Sequence, residues 1–216
     1  AEIKNSKKKI NVHSYDFQKF LDIKNKNYKK KQNVSIFLDE QLFTHRDIKY
    51  EYMDNLIEKE TYYKEMNDFF SYVEKTYSQK IIISLHPRCK VHQKKKMSKI
   101  YQGRECSIGE SHKLAAKAKY IFLHPSTSSL NIPIIFKKSF YFIITNEFIK
   151  NTNWKRRFLI RDQLFPNRWI NISKSISKIR LKKNYDKRKY GKFLTNFIIK
   201  NNHTKSRDQI IEESLL

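Results

Sequence analysis

Glycine, proline and cysteine are all scarce in this sequence. Its 216 residues include only 3 glycines and 4 prolines, which excludes collagen-like chains and low-complexity linker proteins. The 2 cysteines, Cys89 and Cys106, form neither a CxxC pair nor a metal-ligand pattern with histidine. We therefore expect reduced thiols in a cytoplasmic protein, and no zinc site.

Long apolar runs are also missing. No apolar stretch reaches the roughly 18–20 residues that a helix needs to cross a bilayer. The first nine residues are polar and lysine-rich, without the apolar core of a signal peptide. The sequence thus predicts neither a membrane span nor a signal peptide, while aromatic residues, at 14 % of the chain, are plentiful enough to build a core.

Acidic residues are few: 21 Asp and Glu stand against 46 Lys and Arg, which gives a net charge of +25. This charge favours a polyanionic partner, namely nucleic acid, an anionic membrane surface or a phosphorylated substrate. The alternative is compositional bias, because the over-use of Lys, Asn, Ile and Tyr is typical of an A+T-rich coding sequence. The few arginines are more informative, since their planar fork matches phosphate geometry.

Short apolar runs alternate with amphipathic segments along the chain. We predict strands at 33–39, 81–85, 120–123, 132–136, 140–144 and 169–172, and helices at 15–23, 59–77, 107–119, 185–200 and 204–216, with another helix beginning at Ser126. The alternation indicates an α/β fold with a Rossmann-like parallel sheet, helices on both faces and a helical C-terminal extension. The predicted divisions are a basic segment at 1–32, an α/β domain at 33–173 and a basic extension at 174–216.

Two of the predicted strands end in His-Pro. The stretch KIIISLHPR brings His86, Pro87 and Arg88 to one strand end, and YIFLHPSTSS brings His124 and the run Ser126, Thr127, Ser128 and Ser129 to another. Ligands of open α/β sheets bind beyond such carboxyl ends, and hydroxyls at a helix start bind phosphate. If the two strands are neighbours, about 5 Å apart, both loops reach one phosphate. The alternatives are that the Ser/Thr run only caps a helix, and that the histidine at the strand end is only packed in the protein.

A strand ending in His-Pro, then a helix, then a strand leading into a Ser/Thr run resembles the C-terminal, nucleotide-binding half of bacterial GT-B glycosyltransferases over residues 33–148. The pattern is most similar to sialyltransferases, polysialyltransferases and Kdo transferases, which build capsules and lipopolysaccharide from CMP-activated sugars. The resemblance implies that His86 contacts the nucleotide phosphate, that Pro87 shapes the turn, and that Ser126, Thr127, Ser128 and Ser129 hydrogen-bond the same group. Arg88 is added from its charge and position.

The chain departs from that family because it has room for only one lobe. The family's general base, an Asp or Glu, belongs to the N-terminal lobe, so the resemblance implies a missing lobe or a shortened relative, with 1–32 as a remnant. Asp39, in the only acidic pair at a strand end, is the candidate base, and a solvated loop is the alternative. No DxD motif is present, and we expect a metal-independent transferase with no cofactor beyond its CMP-sugar donor.

The resemblance implies a sialyltransferase-like enzyme that uses a nucleotide sugar and a glycan or lipid-linked acceptor. Basic stretches with interleaved aromatics at 150–161 and 174–188 favour peripheral binding to the anionic inner face of the cytoplasmic membrane. The competing class is a nucleic-acid-binding basic α/β protein without enzymatic activity. A third hypothesis is a non-catalytic remnant of a glycosyltransferase.

Overall fold

One parallel sheet organises the part of the chain that the structure describes. The structure, a computed structural model, describes residues 10, 12–24, 33–43, 58–125, 128–199 and 205–215. The strands are β1 (Val34–Leu38), β2 (Lys80–Leu85), β3 (Cys106–Ile108), β4 (Tyr120–Leu123), β5 (Ser139–Ile144) and β6 (Trp169–Asn171). Their order across the sheet is β3-β2-β1-β4-β5-β6, and every pair is parallel. The predicted Rossmann-like α/β fold is confirmed.

Helices connect and flank these strands. They are α1 (Tyr15–Lys24), α2 (Lys59–Tyr77), α3 (Gln93–Ile100), α4 (Ser111–Lys117), α5 (Asn131–Ile135), α6 (Asn146–Lys150), α7 (Thr152–Leu164), α8 (Lys187–Phe193) and α9 (Arg207–Leu215). A short 3-10 turn, Ser128–Leu130, precedes α5, a second covers Ile176–Lys178, and a π-helical turn, Leu194–Ile198, follows α8.

Both faces of the sheet are covered, which explains why its strands are apolar without alternation. On one face α2 buries Met66, Phe69, Phe70 and Val73, whose three- and four-residue spacing forms a single stripe. The other face packs against α1, α4, α5 and α8. Because α2 is fixed by this stripe, its N-terminal turns come to rest over the carboxyl ends of β1 and β4.

Three predictions about these elements are wrong. Residues 132–136, predicted as a strand, lie mostly in helix α5. Residues 107 and 108, predicted as the start of a helix at 107–119, belong to the unpredicted strand β3, and α4 begins at Ser111. The strands that end in His-Pro, β2 and β4, are not neighbours, because β1 pairs with both of them. The two His-Pro loops are therefore two strand spacings, about 10 Å, apart.

The segments outside residues 33–173 contribute to the same core. Phe17 of α1 is buried in the cluster that covers one face of the sheet, as are Tyr190 and Phe193 of α8. The division of the chain at residues 32 and 173 stays a prediction. Even so, the buried aromatic rings show that α1 and α8 pack as parts of the sheet's hydrophobic core.

Candidate functional site at the carboxyl edge of the sheet

A tight turn follows β2 and carries His86, Pro87 and Arg88. The Cys89 N–H donates to the His86 carbonyl oxygen over 2.8 Å, which closes a β-turn with proline at its second position. The Arg88 N–H donates to His86 Nδ1 over 3.2 Å. Because a backbone N–H can only donate, Nδ1 accepts and Nε2 carries the ring proton. His86 is half-buried beside an exposed Arg88, and Nε2 is the ring nitrogen that can donate a hydrogen bond.

Asp39 is the first residue beyond β1 and is buried, at 5 % exposure. Its Oδ1 accepts a hydrogen bond from the Gln41 N–H over 2.9 Å, in a loop where Gln41 has a φ of 55°. Burial raises the pKa of Asp39 to about 6, although the Gln41 N–H and the Tyr101 hydroxyl act in the opposite direction. Among the described residues, the buried Asp39 Oδ2 and the buried Tyr101 hydroxyl have no hydrogen-bond partner at normal geometry.

His124, at the end of β4, belongs to the core and not to an anion pocket. Its ring is fully buried, Nδ1–H donates to the Ile143 carbonyl oxygen over 3.1 Å, and Nε2 accepts from the Tyr62 hydroxyl over 2.8 Å. Burial lowers the pKa of His124 to about 4, so the ring is neutral at pH 7. The expectation that His124 lines an anion pocket is wrong, because both ring nitrogens are used inside the protein.

The hydroxyl run beyond β4 is described only in part. Ser126 and Thr127 lie outside the described residues, so their predicted role stays a prediction. Ser128 and Ser129 lie in the 3-10 turn that leads into α5. The prediction that a helical segment follows Pro125 is therefore confirmed from Ser128 onward.

Helix α7 brings a residue to this edge that sequence reasoning missed. The Arg161 Nε–H donates to the Pro125 carbonyl oxygen over 3.3 Å, which holds α7 against the loop that follows β4. Burial lowers the pKa of Arg161, repulsion by Arg157 lowers it further, and the charge of Glu40 raises it. The available signal was the four-residue spacing of Arg157 and Arg161, which places both on one helix face. The sequence interpretation had assigned this stretch only to a membrane surface.

These residues gather where the strand order reverses. The sheet runs outward from β1 in one direction through β2 and β3, and from β4 in the other through β5 and β6. Open α/β sheets bind ligands in the crevice at this position. Asp39 and Glu40 lie at its centre, His86 approaches from the β2 side, and Arg161 lies on the β4 side. The edge thus combines two buried carboxyl groups, those of Asp39 and Glu40, with an imidazole and a guanidinium group.

The same edge lacks the phosphate loop of dinucleotide-binding proteins. The strand order is the one those proteins use, but their glycine-rich turn follows the first strand. Here Asp39, Glu40 and Gln41 follow β1, and the glycines of the chain are Gly103, Gly109 and Gly191. The glycine-rich backbone fingerprint for phosphate is therefore absent after β1.

The described part of the chain contains no group of three His, Cys, Asp or Glu side chains arranged to hold a metal ion. Among the described helices, none combines the length and the apolar character needed to cross a bilayer. Comparison of the chain with protein-family models, with curated proteins and with solved structures finds no match to any of them.

Proposed function

We propose that this chain binds a CMP-activated sugar at the carboxyl edge of its sheet and acts as a glycosyltransferase or as the donor-binding lobe of one. The observation that carries the proposal is the turn after β2, where the Arg88 N–H fixes the His86 tautomer with Nε2 as a donor. This donor lies one strand away from the crevice where α/β sheets bind nucleotides.

Transfer of the sugar from CMP requires that the departing phosphate be stabilised. As the bond between the sugar and CMP breaks, positive charge develops on the anomeric carbon and negative charge on the phosphate oxygen. In this proposal the His86 Nε2–H and the Arg88 guanidinium group donate to the phosphate from the β2 side. Because the two loops are about 10 Å apart, the predicted role of Ser126, Thr127, Ser128 and Ser129 requires the phosphate to lie above β1, between the loops. Such donors lower the barrier because they bind the developing charge more tightly than the intact donor sugar.

Asp39 has one property of a general base and lacks another. A pKa of about 6 lies near the working pH, where proton transfer to a carboxylate is efficient. However, its carboxyl group is only 5 % exposed, so an acceptor hydroxyl cannot reach it in this state. Asp39 therefore acts as a base only in a state that exposes its carboxylate.

Nucleotide selectivity tests this proposal directly. A ligand that binds only the folded state raises its stability, by about 2.7 kcal/mol at a concentration of about 100 Kd. In thermal unfolding of the full chain, we expect CMP to raise Tm more than UMP or GMP, and cytidine without phosphate to raise it least. No shift with any of these nucleotides would contradict the proposal.

A pair of histidine variants then tests the site. His86→Ala removes the Nε2 donor and should abolish most of the CMP-induced shift, measured from the variant's own Tm without ligand. His92→Ala is the matched control, because His92 is exposed and its side chain makes no capping bond at the start of α3. Equal CMP shifts in the wild type and His86→Ala would remove His86 from the binding site.

A further inference from the structure

Helix α7 carries apolar side chains on two opposite sides. On its inner side the buried Trp154 ring stacks on Phe148 with centroids 4.4 Å apart, and Phe158 packs against Trp169. On its outer side it exposes three aliphatic side chains, those of Leu159, Ile160 and Leu164. A helix on the surface of a globular domain has one apolar stripe, which packs against the core. The second apolar side of α7 is therefore available to a partner outside the core.

These aliphatic side chains are clustered. Among the described residues, nine large hydrophobic side chains are exposed by more than a third, and four of them fall within residues 149–164, namely Ile149 of α6 and the three of α7. With about 100° of rotation per helical residue, Leu159, Ile160 and Leu164 lie within an arc of about 140°. Single exposed apolar side chains are normal on a soluble protein, whereas a group of them on one side indicates an interaction surface.

The exposed charges beside this cluster have one sign. Lys155 and Arg156 of α7 are exposed, and so is Lys150 at the end of α6. The two acidic residues of these helices, Glu147 and Asp162, are both partly buried. The exposed apolar and cationic side chains together form what we call the outer face: Ile149, Lys150, Lys155, Arg156, Leu159, Ile160 and Leu164. The outer face thus combines aliphatic groups with positive charge, and neither α6 nor α7 adds an exposed carboxylate to it.

This combination favours one class of partner. A second copy of the chain would bring cations against cations, because a two-fold contact pairs a patch with itself. Single-stranded nucleic acid binds aromatic rings that stack on its bases, whereas the rings of Trp154 and Phe158 pack inward. An anionic lipid surface offers negative headgroups to the cations and an acyl boundary to the aliphatic side chains. Charge and chemistry therefore both match an anionic membrane surface.

We propose that the outer face docks on an anionic phospholipid surface, with α7 lying in the plane of the interface. The aliphatic side chains enter the boundary between headgroups and acyl chains, and the cations contact lipid phosphates. This inference goes beyond the proposed function and does not depend on nucleotide binding. Arg161 holds α7 against the Pro125 carbonyl oxygen over 3.3 Å, so docking brings the carboxyl edge of the sheet close to the membrane surface. A lipid-linked acceptor would lie at that surface.

Co-sedimentation of the full chain with vesicles, without nucleotide, tests the docking. We expect binding to vesicles of phosphatidylcholine mixed with phosphatidylglycerol, and much weaker binding to phosphatidylcholine alone. The double variant Leu159→Gln, Ile160→Gln should weaken binding at least about ten-fold, because its side chains no longer transfer aliphatic surface out of water. The double variant Lys155→Gln, Arg156→Gln should weaken it about 25-fold, since each cation near an anionic surface contributes about five-fold.

Ile211→Gln is the matched control. Ile211 is 37 % exposed, close to the 36 % of Leu164, but it lies on α9 beside Glu212 and Glu213. This variant should bind vesicles like the wild type, and an equal loss of binding would contradict a specific role of the outer face.

Three further results would overturn the docking. The first is a wild type that does not bind the anionic vesicles at low salt. The second is unchanged binding of the aliphatic double variant together with loss of binding in the cationic one, which would assign the attraction to charge alone. The third is a wild-type dimer that the aliphatic variant converts to a monomer in analytical ultracentrifugation while vesicle binding is unchanged, which would make the outer face a contact between copies. None of these results depends on CMP, so the proposed function is tested separately.

Discussion

Asp39 and His124 follow neighbouring strands, and burial shifts their pKa values in opposite directions. Burial disfavours the charged form of any group, so the pKa of the acid rises and that of the imidazole falls. For Asp39 the displacement from 3.8 to about 6 corresponds to about 3 kcal/mol, and for His124 the displacement from 6.5 to about 4 is similar. The two groups therefore give stability opposite pH dependences.

Asp39→Asn should stabilise the protein at high pH. The folded state favours protonated Asp39, because ionising the buried carboxyl group lowers the stability of the fold. This loss of stability is absent below about pH 4 and complete above about pH 6. An asparagine cannot ionise and keeps an acceptor for the Gln41 N–H. In urea unfolding at pH 8 we expect the variant to exceed the wild type by up to about 3 kcal/mol, and to match it near pH 4. A difference independent of pH would contradict the buried, ionisable state of Asp39.

His124 should stay neutral far below pH 6.5. Its contribution to stability is complete above the unfolded value of 6.5 and is lost as pH falls toward about 4. Nitrogen-detected NMR should show an Nδ1–H tautomer at pH 7 and protonation only near pH 4. As a companion variant, Tyr62→Phe removes the donor to Nε2 and should cost about 1–3 kcal/mol of unfolding free energy. Titration of the imidazole near pH 6.5 would show that the ring is open to water.

The two His-Pro dipeptides show what a sequence can and cannot tell about single residues. Both were correctly predicted to end strands, because proline cannot continue a ladder. Their side chains nevertheless differ: His86 sits in a half-open turn, whereas His124 is enclosed by Tyr62 and Phe148. The difference comes from α2 and α6, which lie far from residue 124 in the chain, so local sequence does not encode it.

At the scale of elements, periodicity was reliable for long segments and unreliable for short ones. Helix α2 was predicted with its observed bounds, Lys59–Tyr77, because 19 residues carry a clear apolar stripe. Residues 132–136 are almost all apolar, and such short runs do not distinguish a strand from a buried helix. Pro133 is accommodated in the first turn of α5, where its missing N–H is not needed. Strand β3 has only 3 residues and too little pattern to detect.

Trp154 should anchor α7 to the edge of the sheet. Its ring stacks on Phe148 with centroids 4.4 Å apart and contacts His124 edge-on. Trp154→Ala should lower the free energy of unfolding by about 3–5 kcal/mol, because a large aromatic is lost from the core. Leu159→Ala, on the same helix but 51 % exposed, should change stability by no more than about 0.5 kcal/mol. Similar losses for both variants in urea unfolding would mean that α7 is packed differently.

At the scale of the whole molecule, the net charge of +25 would by itself attract anions. Binding of CMP could therefore come from the basic surface as a whole or from the proposed site. Aromatic side chains that could stack on bases are mostly buried: among the described residues, the aromatics exposed by more than a third are Tyr15, Tyr185 and Phe197. Non-specific attraction to a polyanion is lost steeply with salt, whereas a partly buried ion pair is screened much less. The salt dependence of binding therefore distinguishes non-specific attraction from binding at the site.

Between 50 and 200 mM salt, we expect CMP affinity to change by less than about ten-fold. Binding of a single-stranded oligonucleotide should fall by about 300-fold if it neutralises about six phosphates. Fluorescence anisotropy of a labelled oligonucleotide and calorimetry of CMP provide the two curves. Oligonucleotide binding that persists at 200 mM salt, together with CMP binding that does not, would instead favour a nucleic-acid-binding protein.

The central claim is that a nucleotide binds at the carboxyl edge of the sheet, between the turn after β2 and helix α7. Titration of isotope-labelled full chain with CMP, followed by backbone and arginine side-chain NMR, tests this location most directly. We expect the shifts to concentrate at residues 39–41, 86–89, 125–131 and 157–161. Shifts confined to the opposite edge of the sheet, or spread evenly over the lysine-rich surface, would contradict the account.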